Sequence, residues 1–193
     1  MLARRHCGET TPAGGLRASP REHWSPRHCV ARAAADATPP ARPTADEDYG
    51  AVVATDRPAA YGDTFAEVYD SWYGSISDAE ATASLVAELA AGRRVVELGV
   101  GTGRLAMPMV RCGLEVVGVD ASVSMLGRCR AKPGAAAVAL VCADMAALPL
   151  RPAAFGLGVV GFNTFFNLIT EEAQARCLRD AARAIETGGG LLV

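Results

Sequence analysis

From residue 95 onward, short apolar runs alternate with longer stretches whose apolar positions recur at helical spacing. Val95-Val96-Glu97-Leu98 reads as a short buried strand. Gly99, Gly101 and Gly103 read as a turn, and Arg104-Leu105-Ala106 opens a helix running to about residue 112 that Pro108 should weaken or bend. Residues 115–119 form a second strand that closes on Asp120, followed by a helix from Ala121 or Ser122 through Cys129. Residues 137–142 and 155–162 are strands three and four. A helix over 171–185, capped by Thr170, leads to residues 190–193 as the start of strand five. Upstream, residues 64–73 place Phe65, Val68, Tyr69 and Trp72 on one helical stripe that Gly74 ends. Ser77 and Glu80 have capping-box spacing and open a helix over 78–90. Five apolar strands separated by helices predict an α/β fold with a parallel, doubly wound sheet.

Composition divides the chain at about residue 45. Residues 1–45 carry seven Arg against three acids and few aliphatic side chains, so they bury too little apolar surface to offset their ordering entropy and are expected to be a disordered tail. Residues 46–193 are expected to form one domain, with twelve basic against eighteen acidic residues. An acidic domain is a poor nucleic-acid partner. Arg4-Arg5 is not followed by the apolar stretch of an export signal, although an organelle presequence would share the tail's composition. No apolar run approaches the roughly 20 residues needed to cross a bilayer. The six cysteines form no Cys-x-x-Cys pair, and His6-Cys7 with His28-Cys29 matches no closed metal site, so no metal is expected. Cysteines beside apolar runs point to a reducing, cytoplasmic compartment.

In a doubly wound sheet, ligands lie outside the carboxyl ends of the strands, and each chemical candidate falls at such an end. Glycines at alternate positions allow positive φ and close approach of a ligand to the backbone. Asp120 closes strand two, where it could accept hydrogen bonds from a ribose diol or simply cap the next helix. Asp144 follows strand three and is either a ligand acid or a turn acid. Asn163-Thr164 follows strand four.

Glu97-x-Gly99-x-Gly101-x-Gly103, Asp120 at the next strand end and Ala143-Asp144-Met145 after the third resemble class I S-adenosylmethionine-dependent methyltransferases over about residues 61–193. The segment Phe162-Asn163-Thr164-Phe165-Phe166-Asn167-Leu168, with Gly188-Gly189-Gly190 beyond the next helix, is similar to the small-molecule branch of that superfamily. The resemblance implies a Rossmann-like fold with S-adenosylmethionine as cofactor. Glu97 would hold the methionine amino group, while Gly99, Gly101 and Gly103 pass beneath the methionine and ribose. Asp120 would bind the ribose hydroxyls and Asp144 the adenine amino group. Met145 and Ala121 would pack near the base, and Asn163 would line the reaction mouth. The implied partner is a small-molecule acceptor, with neither nucleic acid nor membrane involved. No catalytic base is assigned, because all three His precede residue 46, leaving Tyr69, Tyr73 or an acid if a base is needed.

A dinucleotide-binding oxidoreductase is the competing reading, but its fingerprint is G-x-G-x-x-G, whereas the third glycine here, Gly103, comes one place early. The superfamily continues past strand five into strands six and seven, so this chain is expected to be incomplete at its C-terminus. Two functions follow: methyl transfer to a small molecule by in-line displacement, or cofactor binding without turnover.

Overall fold

The computed structural model describes residues 57–75 and 78–193; the expected tail, its His-Cys pairs and Ser77 lie outside them. Five parallel strands form one sheet: β1 (Val95–Leu98), β2 (Val116–Asp120), β3 (Val138–Cys142), β4 (Phe155–Val159) and β5 (Ile185–Leu192). Their spatial order is β3-β2-β1-β4-β5. The chain therefore winds outward from β1 through β3, returns beside β1 as β4, and reverses direction between those two strands. Ligand crevices open at that reversal in doubly wound sheets.

Helices α1 (Ala60–Phe65), α2 (Tyr69–Tyr73) and α3 (Ala79–Ala90) precede the sheet. Helix α4 (Ala106–Arg111) follows β1, α5 (Val123–Arg130) follows β2, and α6 (Glu171–Ala184) joins β4 to β5. Both faces of the sheet are covered, which is why the central strands are apolar at consecutive positions rather than at alternate ones. Val95, Val116, Leu157 and Val159 pack with Val86 and Ala90 of α3, Met109 of α4 and Leu126 of α5. Val96, Leu98, Val117 and Val119 pack on the opposite face with Cys177, Ala181 and Ala184 of α6. All four β1 residues are buried. Removing a side chain such as Leu98 leaves a cavity and costs about 2–5 kcal/mol.

Several boundaries differ from those expected. The stripe over 64–73 is two short helices joined by a turn at 66–68, because Phe65 turns inward to stack with Tyr61 at 5.0 Å and Trp72 at 5.7 Å. Asp78, rather than Ser77, caps α3: its Oδ1 accepts from Ala81 N at 2.8 Å. Helix α4 begins at Ala106, two residues after Arg104, because the glycine loop extends through Leu105 as turns. Pro108 therefore falls in the first turn, where no N–H partner is lost. Strand β4 ends at Val159 and the chain has left the sheet by Phe162, whose φ is +59°. β5 begins directly after α6, but Ile185 pairs with Phe155 and Gly190 with Leu157, so four residues of β5 bulge opposite Gly156. Gly188, with φ +83°, makes that bulge possible. Among the described residues no helix is long and apolar enough to cross a membrane.

Candidate functional site

A solvent-open cleft lies at the carboxyl ends of β1, β2 and β3. Gly99, Gly101, Asp120, Ala121, Asp144 and Met145 all line it, so the expected loop and strand-end residues share one cavity. The three loop glycines have φ of +73°, +56° and +78°. A Cβ at Gly99 would collide with Thr164, and one at Gly103 would lie 2.6 Å from Cys129 Sγ. Gly99 thus keeps the cleft wall thin, whereas Gly103 lets the loop pack on α5 and does not line the cavity. The amides of Gly99 and Val100 both donate to Val119 O, at 2.7 and 2.9 Å, which ties the loop to β2.

Asp120 Oδ2 accepts from Gly101 N at 2.8 Å and Oδ1 from Ser122 N at 2.9 Å. Each carboxylate oxygen accepts more than one hydrogen bond, so these amides fix the group while leaving lone pairs for a ligand. Burial pushes the Asp120 carboxyl up from its ordinary value, and the two amide hydrogen bonds oppose the shift. Asp144 Oδ1 accepts from Ala146 N at 2.8 Å, which closes a turn and presents the residue to the same cavity.

Glu97 lies behind the loop rather than on the cleft wall. It is 4% exposed, and its Oε2 has no hydrogen-bond partner among the described residues. Burial raises its carboxyl to about 8; the Arg104 charge opposes that shift and Asp120 adds to it. A buried acid with an unpaired oxygen costs free energy that a cationic group would offset.

Helices α1 and α2, with the turn at Pro58 before them, cover the cleft through Tyr61, Gly62 and Tyr69. Two clasps hold this cover. Ser122 Oγ donates to Asp63 Oδ1 at 2.8 Å, and Asp70 Oδ1 accepts from buried Thr102 Oγ1 at 2.5 Å and from Lys132 Nζ at 2.9 Å. Gly62 permits the approach, because a Cβ there would fall 2.5 Å from Ser122 Cβ. Burial raises the Tyr69 hydroxyl above its ordinary value, against the charge and hydrogen bond of Arg104. At neutral pH Tyr69 is therefore a phenol rather than a ready base.

Asn163 is exposed at the start of a short 3₁₀ turn (Thr164–Asn167) and does not line the cleft; Thr164, Asn167 and Leu168 of the same segment do. The turn rotates the chain after β4, so the inward positions come one to five residues later than a continued strand would place them. Met125, on the first turn of α5, lines the cleft too and is not among the residues expected from the sequence. Its i+5 spacing from Asp120 was a readable signal, since a helix capped by Ser122 points its first turn back at the strand end.

Residues 95–189 match the family described as "Methyltransferase domain". The chain is similar to a cypemycin N-terminal methyltransferase of a Streptomyces species, with 32% identity over 68% of this chain and 54% of the relative. It is also similar in structure to the CcbJ methyltransferase of Streptomyces caelestis, with 38% identity, a TM-score of 0.63, and 72% of this chain and 58% of that one covered. A third likeness is to the glycopeptide N-methyltransferase MtfA complexed with sinefungin, at 28% identity and a TM-score of 0.52, covering 61% and 54%. The chain spans about half the length of these relatives.

Proposed function

From the premise that the chain carries a class I S-adenosylmethionine-dependent methyltransferase domain, we propose that it transfers the methyl group to an amine nitrogen of a small molecule or peptide. The observation that carries this reading is the single cleft shared by Gly99, Gly101, Asp120 and Asp144 at the sheet's reversal point. The residues fit the cofactor. Asp120 offers free lone pairs for a ribose diol, and Asp144 offers an acceptor for an adenine amine. Met145 and Ala121 supply apolar contact, and the orphaned Glu97 Oε2 supplies a counter-charge for an ammonium group. Gly103 serves by keeping the loop in place.

The cofactor supplies an activated methyl on a sulfonium, a good leaving group. The chain's own task is to hold cofactor and acceptor in line and to exclude water. The cover carrying Tyr61 and Tyr69 closes one side of the cleft, and Thr164 and Asn167 bound the other. A neutral amine attacks without prior deprotonation and sheds its proton afterwards, which suits a site where Tyr69 stays protonated. The relatives' printed names include an N-terminal and a glycopeptide N-methyltransferase, which favours nitrogen. Asn163, exposed beside the 3₁₀ turn, belongs in this reading to the acceptor's entrance. A domain spanning 46–193, a cytoplasmic location and the absence of nucleic acid as acceptor complete the reading. Four unpaired cysteines among the described residues support the compartment.

The test incubates the full chain with methyl-labelled S-adenosylmethionine and a panel of primary and secondary amines, N-terminal peptides and amino sugars among them. Label on an amine product supports the proposal. Cofactor binding without label on any acceptor would favour binding without turnover, and absence of cofactor binding would overturn the reading.

A further inference from the structure

Eight large apolar side chains are exposed among the described residues, and three of them, Phe162, Phe166 and Ile169, fall within residues 162–169 at the cleft mouth. Apolar side chains exposed singly need no explanation, but a group of them beside a cleft marks a place where something binds. Two rings of α2 extend this group into the cleft. Tyr69 lines the cleft and lies 4.8 Å from Tyr73 between ring centroids, and Tyr73 packs against Phe162 in a T-shaped arrangement at 5.7 Å. Aromatic rings thus run from the cleft wall to the solvent. We infer that Phe162 and Phe166 form an acceptor subsite, and that the acceptor is a small molecule whose amine stands on a short arm from an aromatic ring. The inference rests on the methyl-transfer reading above and names its substrate class.

Phe162 carries most of the case. It is 45% exposed, and its φ of +59° is a left-handed conformation that glycine and asparagine adopt readily and a bulky side chain adopts only at a cost. Tyr73 and the Arg104 guanidinium, 5.4 Å from the ring centroid, hold the ring in place. Glycine or asparagine would make the turn itself with less strain. What the phenylalanine adds is a flat apolar surface at the entrance, and strain of this kind collects at ligand sites.

The Arg104 contact also sets the acceptor's orientation. A guanidinium already on the Phe162 ring disfavours a second cation there, so the uncharged end of an acceptor settles on the ring and the amine end is directed away from it. Thr164 and Asn167, two and five residues after Phe162, line the cleft and offer polar groups to a nitrogen at the inner end of a short arm. A peptide fits less well. Peptides dock by adding a strand to a free sheet edge or by laying a helix into a groove, whereas the mouth has only a single 3₁₀ turn, with Leu168 O already taken by Gln174 Nε2. An amino sugar would set its hydroxyls against apolar rings.

The experiment saturates the full chain with S-adenosylhomocysteine and titrates it by calorimetry with phenethylamine, propylamine, glucosamine and the tripeptide Phe-Gly-Gly. Phenethylamine and propylamine share the amine arm and differ by the ring. Phenethylamine is expected to bind at least about tenfold more tightly than propylamine, from ring stacking and the apolar area it buries, and more tightly than the sugar or the tripeptide. Phe166→Ala and Phe162→Asn, the second of which suits a left-handed φ, each shrink that ratio severalfold while S-adenosylhomocysteine affinity stays within about twofold. Thermal unfolding checks that each variant is folded. A wild-type ratio near one, no binding of phenethylamine, or a tripeptide that binds more tightly than phenethylamine overturns the inference and leaves the cofactor reading standing. So does a ratio unchanged in Phe166→Ala or in folded Phe162→Asn. A dimer in sedimentation that Phe166→Ala abolishes also overturns it, by giving the rings to a second copy of the chain. If Phe162→Asn does not fold, Phe166→Ala decides alone. Absence of S-adenosylhomocysteine binding would overturn the methyl-transfer reading and this inference together.

Discussion

The cradle and the mouth of the cleft are built by opposite means. The cradle consists of β1, the glycine loop and the end of β2, where Glu97, Thr102 and Ser122 are buried and backbone amides hold the Asp120 carboxylate. The mouth consists of residues 162–169, where Phe162 is 45% exposed, Phe166 69% and Ile169 47%, and the backbone forms only a single 3₁₀ turn. A buried network of amides and carboxylates has few alternative arrangements, whereas exposed side chains on a turn repack at little cost. On the proposed function, the difference teaches that the cofactor is to be gripped by the backbone and sheet, while the acceptor is to be met by side chains that can vary without disturbing the fold.

The largest effect expected to break this contrast is on the cradle's backbone. Gly103→Val forces a branched side chain to a left-handed φ and into Cys129 Sγ. Overpacking alone costs about 1–3 kcal/mol and backbone strain adds to it, so thermal unfolding should show a large loss of stability. The pH dependence of folding comes next. Glu97 holds its proton to about 8 when folded but releases it near 4.5 when unfolded, so the unfolded state binds fewer protons between those values. Stability of the free protein should therefore fall as pH rises through that window, by up to about 1.4 kcal/mol per unit. Denaturant titrations should show this slope lost in Glu97→Gln.

Asp120→Ala removes one charged acceptor and should weaken cofactor binding by about 1.5–3 kcal/mol, read by calorimetry. Unchanged affinity would take Asp120 out of the site. Asp70→Ala breaks the clasp to Thr102 and Lys132 and should cost about 1 kcal/mol in stability while speeding cofactor dissociation in stopped-flow traces. The smallest effect is at the mouth. Phe166→Ala should leave cofactor affinity within about twofold and change only the acceptor's KM. A large loss of cofactor affinity there would erase the distinction between the two regions.

The cradle was legible in the sequence because its chemistry is written in the backbone. Alternate glycines demand positive φ, and acids at strand ends converge once the sheet is parallel, so Gly99, Gly101, Asp120, Ala121, Asp144 and Met145 followed from periodicity and the family resemblance. Glu97 was legible as an acid at the end of β1, but its burial was not, because position in a strand does not reveal what packs over it. The mouth was less legible. The left-handed turn at Phe162 is a tertiary effect, held by Arg104 and Tyr73 from distant segments, and it swings Asn163 out and Thr164 and Asn167 in. The break in the stripe over 64–73 has a related origin, since Asp63 and Asp70 on either side of it bond to Ser122, Thr102 and Lys132 from the sheet side rather than to their neighbours in the helices.

The most direct test of the account is a crystal structure of the full chain with S-adenosylhomocysteine. The account predicts the ribose hydroxyls on the Asp120 carboxylate, the adenine amine on Asp144 and the amino group at Glu97, all within hydrogen-bond distance. A ligand bound with its ribose away from Asp120, or outside the cleft lined by Gly99 and Gly101, would contradict it.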